Sequence, residues 1–507
     1  VNHRFCGCWH AKTAPATHRT ILACFDFRVN SFFYFGKEID VKAKRSPRFI
    51  ATILIVRATR RVMRLLHLKA THFPGQLASR LCPDFLSRIE KPGHIIAITG
   101  TNGKTTVANL VADMAEKLGL SFAHNAYGSN IEEGIITALL DAATLTGRKK
   151  RPLAILEIDE RVTRIVFKSL RPDYLLVTNL FRESYLRNAH GEFIFDILNE
   201  SIPPSTQLIL NADDLLSQQL GESRRHTSFG IARLPGEEAF NTSLIRDVNL
   251  CPRCQGPLTD DFIRYHHIGR SRCEACGWRS MIPDFEATAV SSGTLTLSNT
   301  LDNSEETYPF KGENILEAYN LLAAIALFRT LGYGREIIAR ILGEVAIGVT
   351  RKEIIQAGDK RIYRMLAKGK NPIAVSRVLD ALCSLPGRKQ FILLVDTSVK
   401  KMSEEDNTAW LYDTDLSILA AEEVTRIIVG GRRAEDIRTA LLFAGLPPEK
   451  IRTCRDKSET GSLVKHSQGP ETLAILYELY SEPVSRKVAA SLQRVFSKAA
   501  AESGVKP

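Results

Sequence analysis

His94-Ile-Ile-Ala-Ile-Thr99 runs directly into Gly100-Thr101-Asn102-Gly103-Lys104-Thr105-Thr106, and helical spacing of apolar residues follows from Thr106 to Leu118. The first six residues form the near-continuous apolar run of a strand buried on both faces. The glycines after it let backbone N–H groups close around phosphate oxygens, and the start of the helix adds positive potential. Lys104 supplies a point charge to the β- and γ-phosphates of a nucleotide, and the Thr105 hydroxyl a ligand for Mg²⁺. The loop is shorter than the usual Walker pattern, which has a glycine further upstream. A Gly-Lys-Thr triplet alone is weak evidence. Placed between a strand and a helix, it reads as a phosphate loop rather than a turn.

Working outward, short apolar runs recur at Leu153–Ile158, Tyr174–Thr178 and Gln207–Leu210, with helical stretches between them. This alternation predicts an α/β domain with a doubly wound parallel sheet. Glu157, Asp159 and Glu160 stand at the end of one such run, where a second oxygen ligand for the nucleotide's Mg²⁺ is expected. Asn314 to Leu331 reads as an apolar helix. A second, smaller α/β region starts near Ile354, with strands at Arg361–Leu366, Phe391–Val395 and Arg426–Val429. The expected domains are therefore 48–345 for the nucleotide and 346–490 for the second, with a tail at 491–507. Residues 1–47 show no clear period, and read as an irregular extension or as upstream sequence included by a misassigned start.

Four of the ten cysteines share a spacing. Cys251-x-x-Cys254 and Cys273-x-x-Cys276 are two knuckles of a Cys₄ zinc ribbon inserted at 249–282, with Pro252, Gly256 and Gly277 making the turns. Four thiolates leave no open position, so this Zn²⁺ is expected to be structural. The competing reading is a thioredoxin-like redox pair, which two knuckles at this separation disfavour. The other cysteines are expected to be free thiols of a reducing cytosol.

The net charge of +12 lies in one place: residues 1–95 hold 17 Lys/Arg against 5 Asp/Glu, and the remainder holds 51 of each. That excludes a uniformly basic nucleic-acid binder. No apolar run is long enough to cross a bilayer, and no cleavable signal pattern is present. Phe49 to Ala70 sets Arg57, Arg60, Arg61, Arg64 and Lys69 among Ile53, Leu54, Val56, Val62, Met63, Leu65 and Leu66. It reads as a helix packed on its domain, or as a basic amphipathic helix on anionic headgroups. The expected place of action is the cytosol, with a peripheral position on the cytoplasmic membrane face left open.

Gly100–Thr106 resembles, complete, the Gly-Thr-Asn-Gly-Lys-Thr-Thr signature of the Mur ligase family. Leu156-Glu157-Ile158-Asp159-Glu160 resembles its acidic metal-binding element, Thr178-Asn179-Leu180-Phe181-Arg182-Glu183 its Thr-Asn-(Leu)-Phe-Arg-Asp element, and Ala318-Tyr319-Asn320-Leu321-Leu322-Ala323-Ala324 its Tyr-Asn-x-x-Ala-Ala helix. The resemblance implies that Glu157 holds Mg²⁺ against the phosphates of ATP and that Asn320 faces the adenine. It also implies that Arg351, in Val349-Thr350-Arg351-Lys352-Glu353, reaches the phosphates across a domain hinge.

Within the family, the ribbon, Ala367-Lys368-Gly369-Lys370-Asn371-Pro372 and Trp410-Leu411-Tyr412-Asp413-Thr414-Asp415 resemble the synthetase subunit of lipid II isoglutaminyl synthase. That resemblance implies ATP-dependent amidation of the α-carboxylate of D-glutamate in lipid II, through an acyl phosphate. Ammonia would come from a GatD-like glutamine amidotransferase in a heterodimer, at the inner membrane surface where lipid II resides. The chain shows no Cys–His–Glu glutaminase constellation of its own. The family places a catalytic Asp three residues before the Trp, where this chain has Asn407. Either Asp406 takes the role through a shifted loop, or the carboxylate is missing. Two other readings stand beside this one: an amino-acid-adding Mur ligase or folylpolyglutamate synthase relative, and a catalytically degenerate ATP-binding regulatory subunit.

Overall fold

The structure, a computed structural model, describes residues 46–67, 71–125, 129–182, 190–240, 243–345, 352–367, 371–396 and 408–502. Strands β1 (His94–Thr99), β2 (Phe122–His124), β3 (Leu153–Glu157), β4 (Tyr174–Val177), β5 (Gln207–Asn211) and β6 (His226–Ile231) carry the first half. After them come β7 (Thr259–Tyr265), β8 (Ile268–Arg272), β9 (Phe285–Ser291), β10 (Gly293–Asn299) and β11 (Ser304–Phe310). Nine of these form one sheet in the order β11-β10-β9-β6-β5-β4-β1-β3-β2, while β7 and β8 pair as a separate hairpin.

β1 lies between β3 and β4, parallel to both, and its side chains alternate between two apolar layers. Ile95 and Ala97 join one cluster and Ile96 and Ile98 the other, so helices cover both faces. The doubly wound parallel sheet expected from the sequence is present from β2 to β9. Its far edge differs: β9, β10 and β11 are antiparallel. The reason is local, since β10 follows β9 through Gly293 at φ +98° and no crossover helix separates them.

The second sheet is built from β12 (Lys352–Ala357), β13 (Lys360–Leu366), β14 (Lys389–Leu394), β15 (Val424–Gly430), β16 (Ile451–Cys454) and β17 (Glu471–Tyr477), in the order β12-β13-β17-β14-β15-β16. All neighbours except β12–β13 are parallel. The last helix, Glu482–Glu502, crosses the position where a tail was expected to begin. Leu492 and Phe496 are buried against Ile362 and Ile475 of this sheet, so residues 491–502 belong to the domain.

The first described helix, Pro47–Leu65, starts where Ser46 accepts a hydrogen bond from the Phe49 N–H at 3.2 Å and Pro47 takes the first helical position. Phe49, Ile53 and Val56 pack onto the domain, with the Phe49 and Phe85 rings 5.0 Å apart. No helix among the described residues is long and apolar enough to cross a membrane.

Candidate active site

The glycine loop Gly100–Thr106 sits at the carboxyl end of β1, where strand order changes direction between β4 and β3. Gly100 has φ +123°, and a Cβ there would collide with Thr178 Oγ1. Gly103 has φ +82°, and its missing Cβ leaves room for Asn320 Oδ1. The helix Lys104–Lys117 begins with no side-chain cap, so its first-turn N–H groups face an incoming anion.

Lys104 is 7% exposed, and its Nζ lies 3.1 Å from both Glu160 oxygens while also donating to the carbonyls of Gly100 and Thr101. The Thr105 hydroxyl donates to Glu157 Oε1 at 3.1 Å, and Asn130 Nδ2 donates to the same oxygen at 3.0 Å. Asn125 fixes the Glu157 backbone on both sides, accepting from its N–H and donating to its carbonyl. A hydroxyl and a carboxylate oxygen this close, beside an anion-binding helix start, are hard donors suited to Mg²⁺ bridging phosphates.

The segment Thr178–Arg182 holds this loop in shape. Thr178 Oγ1 donates to the Asn102 carbonyl at 2.7 Å, and Asn179 Oδ1 accepts from the Asn102 N–H at 2.9 Å. The Asn179 carbonyl accepts from the Thr101 N–H at 2.7 Å, and the Phe181 N–H donates to Thr101 Oγ1 at 2.9 Å. The sequence pattern marked this segment without giving it a task. Glu160 was likewise visible as an acid but not as the partner of Lys104, 56 positions away.

The ribbon brings its four sulfurs within 4.8 Å of one another. Cys251 and Cys276 sulfurs are 3.6 Å apart, and those of Cys254 and Cys273 3.5 Å. A tetrahedral centre with bonds of about 2.3 Å sets sulfurs about 3.8 Å apart. The Cys273 thiol is lowered to about 7: burial opposes this, and the backbone N–H groups of Cys276 and Ala275 with the Cys254 thiol outweigh it. The sulfur spacing fits a thiolate-bound Zn²⁺.

The hairpin between the two Cys pairs is also hydrogen-bonded to the segments around the glycine loop. The turn between β7 and β8 is His266-His267, with His266 at φ +52°, and both side chains are buried rather than exposed at a hairpin tip. His267 Nε2 donates to the Leu180 carbonyl at 3.0 Å and to Asp214 Oδ1 at 3.1 Å, while Asp214 Oδ2 accepts from the Leu180 N–H at 2.6 Å. Arg264, on β7, donates to the Tyr319 hydroxyl, which donates to the fully buried Asp213 at 2.7 Å. Tyr319 immediately precedes Asn320. Burial first, then Arg377, lowers the His266 imidazole to about 3.

In the second domain, Asn371 caps the helix Pro372–Cys383 by accepting from the Ala374 N–H at 2.9 Å. Asp413 meets Arg182 at 3.3 Å, and Asp415 accepts from the Leu244 N–H at 2.7 Å, so this segment touches the first domain. Burial raises the Asp415 carboxyl, against the Leu244 N–H and Arg377. The structure thus brings together Gly100–Thr106, Glu157 and Asn320. Arg351, Asp406 and Asn407 lie outside the described residues.

A mostly parallel sheet followed by a second α/β domain is a fold shared with solved peptide ligases of the Mur type. The Mur ligase middle domain matches residues 98–246. The MurT ligase C-terminal domain matches residues 369–481. It is 28% identical over 394 residues to the lipid II isoglutaminyl synthase (glutamine-hydrolyzing) subunit MurT of Staphylococcus aureus strain COL, covering 77% of this chain and 87% of that protein. It is 27% identical over 389 residues to the subunit of the same name from Streptococcus pneumoniae, covering 76% and 84%.

Among solved structures, a pseudomurein peptide ligase type C from Methanothermus fervidus matches at TM-score 0.62 and 19% identity, over 82% of this chain and 84% of that one. MurF ligase from Thermotoga maritima in complex with ADP matches at TM-score 0.55 and 15% identity, over 85% and 86%.

Proposed function

We propose that the protein is the synthetase subunit of a lipid II isoglutaminyl synthase, converting the D-glutamate α-carboxylate of lipid II to a carboxamide. A GatD-like glutamine amidotransferase, its partner in a heterodimer, delivers the ammonia. The observation that carries this reading is the match of residues 369–481 to the MurT C-terminal domain, on a chain where Lys104 meets Glu160 and Thr105 meets Glu157 at the carboxyl end of one sheet.

A carboxylate oxygen of the substrate attacks the γ-phosphorus of ATP, and ADP leaves. Ammonia then attacks the acyl carbon, and phosphate leaves with the former carboxylate oxygen. Lys104 exchanges Glu160 for phosphate oxygens and stabilises the charge on the transferred group. Mg²⁺ held by Thr105 and Glu157 would neutralise those oxygens. Gly100, Thr101, Asn102, Gly103 and Thr106 shape the phosphate cradle, while Asn320 is assigned to the adenine and Arg351 to the phosphates. Asp406 is assigned to the acceptor side, where it orients ammonia and takes its proton. Zn²⁺ on Cys251, Cys254, Cys273 and Cys276 is structural.

The test supplies purified chain with lipid II, ATP, Mg²⁺ and ammonium salt, and detects the carboxamide by mass. Product without a glutaminase is expected, and Asp406→Asn should stop it while ATP still binds. Normal turnover by Asp406→Asn removes that residue from the site. An unmutated chain inactive with ammonium and with partner returns the regulatory reading.

A further inference from the structure

The helix Pro47–Leu65 buries one face and carries a second apolar face outward. Its inner face is accounted for. Phe49, Thr52, Ile53 and Val56 are buried, Arg57 donates to the Leu140 and Ala143 carbonyls, and Arg60 pairs with Asp141. A helix packed on one domain needs only this stripe, with polar residues opposite.

Opposite the stripe stand Ala51, Leu54, Ile55, Ala58, Val62 and Leu65, spaced three and four apart, all exposed. Leu54 is 50% exposed, Ile55 48%, Val62 53% and Leu65 76%. Leu66, just past the helix, is 63% exposed. The charge around this face has one sign. Arg48, Arg61 and Arg64 are exposed on the same helix, and the helix contains no Asp or Glu. Across residues 41–83 the sequence has ten Lys/Arg and no Asp/Glu. Among the described residues neither Arg61 nor Arg64 has an acidic partner. Burial, and to a smaller extent the neighbouring Arg64 and Arg57, lowers Arg60 to about 10.

From the outward apolar face and its acid-free arginine rim, we propose that the helix Pro47–Leu65 docks the protein on an anionic bilayer surface. Leu54, Ile55, Val62 and Leu65 enter the headgroup boundary, while Arg61 and Arg64 meet lipid phosphates. A protein face would have to supply both a groove and an excess of acid; an anionic bilayer supplies apolar depth and negative charge in one surface. The inner face keeps its hold on the domain, so docking needs no rearrangement of the phosphate site. The inference deepens the proposed function by bringing the site to a lipid-linked substrate, yet its test reads binding alone and stands apart from catalysis.

The experiment is sedimentation of the full chain with vesicles of phosphatidylcholine alone and of phosphatidylcholine with phosphatidylglycerol, at low and high salt. Binding to the anionic vesicles, weakened by salt, is expected. Each basic residue near an anionic surface contributes roughly fivefold, so Arg61→Gln with Arg64→Gln should reduce partition about thirtyfold. Val62→Glu with Leu65→Glu should abolish it. Both pairs lie on the exposed face, and an unchanged melting temperature and ATP affinity would confirm that the fold is kept. Equal partition of the unmutated chain onto both vesicle types overturns the proposal, as does full binding by Val62→Glu/Leu65→Glu. Failure to bind anionic vesicles, with self-association that the Glu pair removes, also overturns it and makes the face a contact between copies.

Discussion

Two candidate metal sites among the described residues are built from opposite materials. The ribbon collects four soft sulfurs from residues 251–276, within a single insertion. The phosphate site collects hard oxygens from Thr105 and Glu157, 52 positions apart, and orients them with Asn130 and Asn125 from a third segment. The first is closed and local, and the second is open and exists only because β1 and β3 are neighbours. Yet the closed site supports the open one, because the hairpin rising from it holds Leu180 through His267 and Tyr319 through Arg264.

The largest effect should come from breaking the closed site. Cys251→Ser or Cys276→Ser should lose the bound Zn²⁺ and destabilise the first domain by more than about 4 kcal/mol, as expected when a structural metal is lost. Elemental analysis and thermal melts check this, with ATP affinity falling as the hairpin loosens. Zinc-free fresh protein of undiminished stability would remove the ribbon from the account.

Lys104→Ala breaks only the open site. Turnover should fall several hundredfold, about 3–4 kcal/mol of transition-state stabilisation. Zinc content should stay at one per chain. Burying Glu160 without its partner should also lower the melting temperature. Near-normal steady-state turnover would remove the loop assignment.

Arg182→Ala and Asp413→Asn test the contact between domains, and should matter least. Both partners are about a quarter exposed, and such pairs contribute roughly 1 kcal/mol or less. A double-mutant cycle on stability should show coupling within that range. Coupling several times larger would make this contact a main hinge support.

The sequence made β1, its loop and its helix readable because strand period, glycine spacing and helix period follow one another within 25 residues. Cys-x-x-Cys spacing did the same for the ribbon. What pairs across the sheet was not readable: Glu160 reaches Lys104, and Thr178–Phe181 brace the loop, only through the β3-β1-β4 order. The antiparallel edge at β9–β11 was missed because its Thr/Ser-rich alternation lacks the apolar runs that marked the buried strands. The domain end expected at 490 falls inside the last helix, because the core contacts beyond it, Leu492 and Phe496, stand among polar residues. His266-His267 gave no sign of being a buried turn, since hairpin tips usually face water.

In the proposed reaction a carboxylate is activated as an acyl phosphate before ammonia attacks. This order is tested most directly by placing a heavy-oxygen label in the D-glutamyl α-carboxylate of lipid II and following single turnover with ATP and ammonium. One labelled oxygen is expected in inorganic phosphate for each carboxamide formed, with ADP as the nucleotide product. Carboxamide formed while the phosphate stays unlabelled, or with AMP released, would contradict it.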